Sequence, residues 1–134
     1  MNQCKPTLYL VRGLPGAGKS TLAMSLFNSG LVQNIFEADQ WFVENCTEFR
    51  SEFLRQAHLL CQHRTSLSLN QGFSCCVSNT STTEKEVQVY QDIATSSGAK
   101  FVSLVVENRN NTKSIHCVPD ETLEKMRNRF TFKL

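Results

Sequence analysis

A chain of 134 residues, at roughly 100 to 200 per domain, is expected to form one compact domain rather than a fused multidomain enzyme. Hydrophobic residues make up 40% and charged residues 19%, with nine Phe and three Pro, a composition that can bury a core and is not that of a disordered segment. Fourteen basic residues against twelve acidic ones leave a net charge of +2, too weak a bias to argue by itself for a nucleic-acid or membrane partner.

The first structural signal is Thr7 to Val11, a short and almost continuously apolar run of the kind that forms a strand covered on both faces. A glycine-rich turn, Gly13 to Ser20, follows it. Leu22, Ala23, Leu26 and Phe27 are then spaced as one helical face, stopped near Asn28 to Gly30. Ile35 and Phe36 suggest a brief second strand leading into Glu37-Ala-Asp39-Gln-Trp-Phe42. Phe49, Phe53, Leu54, Ala57, Leu60, Cys61 and Arg64 recur at three and four residues, which predicts one long amphipathic helix from Thr47 to Asn70, broken by Gly72.

Ser74 to Ser78 is expected to be a third buried strand. Thr83-x-x-Glu86 is a capping box opening a helix that turns Val87, Tyr90, Ile93 and Ala94 inward and closes at Gly98. Phe101 to Val106 is a fourth strand. The polar loop 107–117 is long for a strand-to-helix connection and is expected to act as a lid, and Pro119 suits a first helical turn. Strands alternating with helices predict an α/β fold: a parallel sheet with helices on both faces, in three layers.

No apolar run approaches the roughly 18 residues of a membrane span, and residues 1–6 are polar, so neither a signal peptide nor a membrane partner is expected. Cys4, Cys46, Cys61, Cys75, Cys76 and Cys117 form no C-x-x-C pair and read as reduced structural thiols. A cytoplasmic or nuclear setting follows as the expectation. His58, His63 and His116 lack metal-ligand spacing with cysteine and are expected to be structural.

The residues that carry chemistry are Gly13-Leu-Pro15-Gly16-Ala17-Gly18-Lys19-Ser20, followed by Thr21. They fit G-x-x-x-x-G-K-[ST] between a predicted strand and a predicted helix, the context in which that pattern binds phosphate. A loop bare of side chains lets backbone N–H groups face the phosphates, and the helix N-terminus adds partial positive charge. Lys19 would bridge the β- and γ-phosphates of a nucleoside triphosphate, ATP or GTP, and the Ser20 oxygen would bind Mg²⁺. Many proteins with this loop carry a carboxylate at the end of a neighbouring strand to hold the metal's waters, yet the third strand ends Val77-Ser78-Asn79-Thr80. Asp39, just past the second strand, is the best remaining acid, with two roles open to it: metal shell, or general base for a substrate hydroxyl. Arg109, and after it Lys113, could swing over the γ-phosphate from the polar loop. Trp41 and Phe42 are read as core, with stacking on a substrate base as the alternative.

The blocks Leu10 to Ala23, Ala38-Asp-Gln-Trp-Phe42, Val77-Ser-Asn-Thr80 and His116-Cys-Val-Pro119 resemble, in order and spacing, the polynucleotide-kinase-like P-loop family. Within it they are most similar to the kinase-like domain of NEDD4-binding protein 2 and its phage and viral relatives. The resemblance implies transfer of the ATP γ-phosphate to the 5′-hydroxyl of a DNA or RNA end. By the same resemblance Asp39 matches the general base, Thr80 a threonine beside the active site, and Arg109 the lid arginine, with Arg127 or Arg129 as substitutes. Two departures accompany it: phage-type enzymes place an arginine three residues beyond the base and an aspartate where this chain has Asn79, whereas here those positions are Phe42 and Asn79. A small-molecule or nucleoside kinase and a non-catalytic nucleotide-binding module are the competing readings.

Overall fold

The computed structural model describes residues 5–14, 16–48, 50–79 and 83–107. Its elements are β1 (Thr7–Arg12), α1 (Lys19–Asn28), β2 (Asn34–Phe36), α2 (Gln40–Glu44), α3 (Leu54–Asn70), β3 (Cys75–Ser78), α4 (Glu84–Ser96) and β4 (Lys100–Val105). The strands form one sheet in the order β2-β3-β1-β4, and every neighbouring pair is parallel.

Side chains of β1 alternate between the two faces of the sheet, because successive residues of a strand point in opposite directions. Leu8 and Leu10 join Cys61, Leu69, Cys75, Val77, Tyr90 and Ala94 in a core beneath α3 and α4. Val11 joins Ala23, Val32 and Cys76, with Tyr9 and Ile35, in a second core beneath α1. The chain steps from β1 out to β2 through α1, then back through α3 and α4. Right-handed crossovers running in opposite directions lie on opposite faces, which yields the expected three layers.

The helix over 47–70 needs correction. The chain leaves α2 through Cys46, a left-handed residue at φ 51°, and is extended at Arg50 (φ −138°, ψ 127°). One 3₁₀ turn over Ser51–Phe53 follows, and α3 starts only at Leu54. The interruption seats Phe53 on Trp41, with ring centroids 5.3 Å apart and planes 29° from parallel. Ala38, Phe42 and Ala57, together with Trp41 and Phe53, make a third, smaller core holding α2 against α3. Arg64 and Glu44 pair bidentately at 2.9 and 2.8 Å across the same junction. Phe49 lies outside the described residues.

Elsewhere local chemistry acts as expected. Thr83 Oγ1 accepts from Glu86 N–H and the Glu86 carboxylate accepts from Thr83 N–H, the reciprocal cap that starts α4. Among the described residues, no helix is long and apolar enough to cross a membrane.

Cys46, Cys61, Cys75 and Cys76 are free thiols, the last three buried. Burial pushes Cys75 and Cys76 up to about 12. The folded chain therefore keeps these protons while the unfolded chain gives them up above pH 9, so their contribution to stability is complete below pH 9 and lost as the pH rises toward 12. Replacing Cys76 with Ala should flatten the alkaline fall in unfolding free energy, measured by urea titration, by up to about 1.4 kcal/mol per pH unit.

Candidate functional site

Strands that run parallel bring their carboxyl ends to one side of the sheet, and there the loop after β1, the Glu37–Asp39 turn after β2, Asn79 after β3 and Val106 after β4 come together. Val106 N–H donates to the Arg12 carbonyl at 2.8 Å, drawing the end of β4 against the start of the loop. A Cβ on Gly13 would stand 2.8 Å from the Val106 carbonyl oxygen, closer than such atoms pack, so the approach requires glycine. Gly18, at φ 104°, is the N-cap of α1 in a conformation that side chains rarely adopt.

The N-terminus of α1 has neither a side-chain cap nor an acidic residue in its first turn. Its first N–H groups have no acceptor within the helix, and with the helix dipole behind them they form an anion seat. Ser20 and Thr21 are exposed at this end. Lys19 folds back to donate from Nζ to the Leu14 carbonyl at 3.1 Å, while Ala17 N–H closes a turn on the same oxygen at 3.0 Å. Burial lowers the Lys19 pKa from its ordinary value, and the nearby charges of Glu37 and Asp39 oppose that shift. A cation, two carboxylates whose charges act on it and an open helix end thus lie at one end of the sheet.

The sequence singles out Asp39 among the acids, and the structure sets it in the turn after β2, where its charge acts on Lys19. It is exposed, and its side chain makes no cap bond to α2 although its backbone carbonyl accepts from Phe42 and Val43. Trp41, half-buried, is part of the packing that holds α2, stacked on Phe53 and edge-on to Phe42 at 5.1 Å. Pro15, Thr80, Arg109, Lys113, His116, Arg127, Arg129 and the 108–117 part of the lid-like loop lie outside the described residues.

Three further residues stand at this end of the sheet. Glu37 acts on Lys19 more strongly than Asp39 does, although in sequence it only ends a three-residue strand. Arg12, fully buried at the end of β1, has its pKa lowered by that burial against the opposing charge of Glu86; an arginine ending an apolar strand was the only sign of it. Asn79 is buried and turned into a clamp: Oδ1 accepts from Ala38 N–H at 2.9 Å, and Nδ2 donates to Tyr90 OH at 3.3 Å and to Cys61 Sγ at 3.7 Å. Tyr90 OH in turn donates to Cys61 Sγ at 3.4 Å. The residue next to Asp39 is thereby tied to α3 and α4. The side-chain donors of Ser20, Glu37 and Asp39 at this end of the sheet are all oxygen, the ligand chemistry that suits Mg²⁺.

Two outcomes follow from this geometry. Asn79→Leu strands the Ala38 N–H in the interior and should cost about 1–3 kcal/mol of unfolding free energy by urea titration. Lys19→Met removes an ammonium that folding disfavours. It should therefore hold or raise the melting temperature of the nucleotide-free chain at pH 7 and abolish any melting shift induced by ATP. It should also remove a rise in stability with pH that the wild type shows in the window from the lowered Lys19 value up to 10.5.

Solved structures with the same fold include a chain of the Pnkp1/Rnl/Hen1 RNA repair complex, at TM-score 0.74 and 17% identity over 98% of this chain and 48% of that one. The APS kinase CysC of Mycobacterium tuberculosis matches at TM-score 0.63 and 14% identity, over 93% of this chain and 96% of that one. Chaetomium thermophilum Kti12, solved with ADP-AlF3, matches at TM-score 0.68 and 13% identity, over 92% and 79%. With its parallel sheet, flanking helices and glycine-rich loop, the chain has a P-loop kinase-like fold. The profile of the AAA domain family (AAA_33) matches residues 8–132, and the chain belongs to that family.

Proposed function

We propose that this chain transfers the γ-phosphoryl group of ATP to the 5′-hydroxyl of a nucleic-acid end. Two observations support the reading: the Lys19 ammonium sits on the Leu14 carbonyl at the start of α1, and the charge of Asp39, in the turn after β2 at the same end of the sheet, acts on it. The loop and the open end of α1 bind the triphosphate through backbone N–H groups. Lys19 leaves the Leu14 carbonyl for the β- and γ-oxygens, where its charge offsets what builds up as the bond to the leaving ADP oxygen breaks. Asp39 takes the proton of the acceptor hydroxyl as its oxygen forms the new bond to phosphorus. Ser20 would hold Mg²⁺, which when bound neutralises phosphate charge.

Two things support the nucleic-acid acceptor. One is the resemblance of the Ala38–Phe42 and Val77–Thr80 blocks to the polynucleotide-kinase-like family and the kinase-like domain of NEDD4-binding protein 2. The other is the match, over 98% of this chain, to a component of an RNA repair complex. Thr80 beside the acceptor and Arg109 over the γ-phosphate are part of the same proposal. A small-molecule acceptor is the second reading, favoured by the match to an APS kinase chain of which this one spans 96%.

Labelled ATP presented with 5′-hydroxyl oligonucleotides and, separately, with a panel of nucleosides and other small alcohols separates them. Label should pass to the oligonucleotide, and Asp39→Asn should keep nucleotide affinity while lowering turnover by about 10²–10⁴-fold. Label on small alcohols alone would replace the polynucleotide reading. Binding without transfer to anything would make the chain a nucleotide-binding module.

A further inference from the structure

Strand β3 lies directly beside β1 and lacks the terminal carboxylate that holds a metal's waters in many proteins with this loop. It ends in Ser78, whose hydroxyl is buried, in a residue only 6% exposed, and has no hydrogen-bond partner. An interior hydroxyl left unpaired is costly unless a ligand or water satisfies it. The other such hydroxyl among the described residues, on Ser103, sits opposite Leu10 and so faces the α3/α4 core, away from the loop.

Register places Ser78. It is paired with Val11, which packs beneath α1, and Cys76, two residues earlier in β3, packs there too. Ser78 therefore faces the side of the sheet that carries Lys19 and Ser20. On its other flank Phe36 pairs with Val77, so Glu37 follows β2 at the level of Ser78. Ile35 and Cys76 share the α1 face, and strand alternation continues that face to Glu37.

We propose that Glu37 and Ser78 together hold the ordered waters around the Mg²⁺ that accompanies the nucleotide, in place of the missing strand-end carboxylate, leaving Asp39 for the acceptor hydroxyl. The proposal rests on the nucleotide reading above and deepens it. Mg²⁺ keeps several of its waters in such sites. A carboxylate accepts hydrogen bonds from them, and a serine hydroxyl both accepts and donates.

Equilibrium titration with a fluorescent ATP analogue, once in EDTA and once in excess Mg²⁺, tests this without turnover. Mg²⁺ should tighten binding to the wild type. In Glu37→Gln that tightening should shrink by about 10–100-fold, the usual effect of losing an outer-shell partner of a metal. Affinity in EDTA should stay the same or rise, because a negative charge beside the triphosphate is gone. Ser78→Ala, which swaps an unpaired hydroxyl for hydrogen and should fold at least as well, should shift the Mg²⁺ arm in the same direction. An undiminished response to Mg²⁺ in either variant, or equal weakening in both arms, overturns the proposal. A wild type that binds no nucleotide in either arm overturns the nucleotide reading itself, a different and recognisable result.

Discussion

The position of β1 between β3 and β4 constrains everything else in the crevice. In a parallel sheet all the strands' carboxyl ends open on one side, so the glycine loop that leaves β1 is flanked by whatever β3, β4 and, one strand further out, β2 deliver there. The hydrogen bond from Val106 N–H to the Arg12 carbonyl brings β4 so close that only glycine fits at position 13. Glycine at position 13 thus answers both to the G-x-x-x-x-G-K-[ST] pattern and to the strand that presses on it.

A second constraint is the polar clamp at Asn79. Buried polar groups are costly unless fully paired, and this one pairs with three elements at once: the turn before α2, Cys61 on α3 and Tyr90 on α4. The placement of Asp39 therefore depends on the packing of two helices remote from it in sequence. The aromatic stack of Trp41 on Phe53 and the Arg64–Glu44 pair hold the other end of the same turn. Lys19, by contrast, sits in an environment that disfavours its charge before any ligand arrives, a strain that phosphate would relieve.

What could be read from the residues in advance was what depends on near neighbours. The loop is a contiguous pattern, the capping box spans four residues, and the strands are short apolar runs, so each announces itself locally. The start of α3 did not, because the apolar spacing runs on unbroken while the chain must turn at Cys46 and extend at Arg50 to seat Phe53. Glu37 and Ser78 were invisible for a related reason. Forty-one residues separate them, and only the β2-β3 register makes them neighbours. The same holds for Asn79, whose partners span Ala38 to Tyr90.

The central claim is that the 13–20 loop grips a triphosphate and that Lys19 changes partners to do so. A crystal structure with a non-hydrolysable ATP analogue and Mg²⁺ measures this directly. The β- and γ-phosphates should lie against the N-terminus of α1, with Lys19 Nζ moved from the Leu14 carbonyl to a phosphate oxygen. Lys19 still bonded to Leu14, with the nucleotide elsewhere, would contradict it.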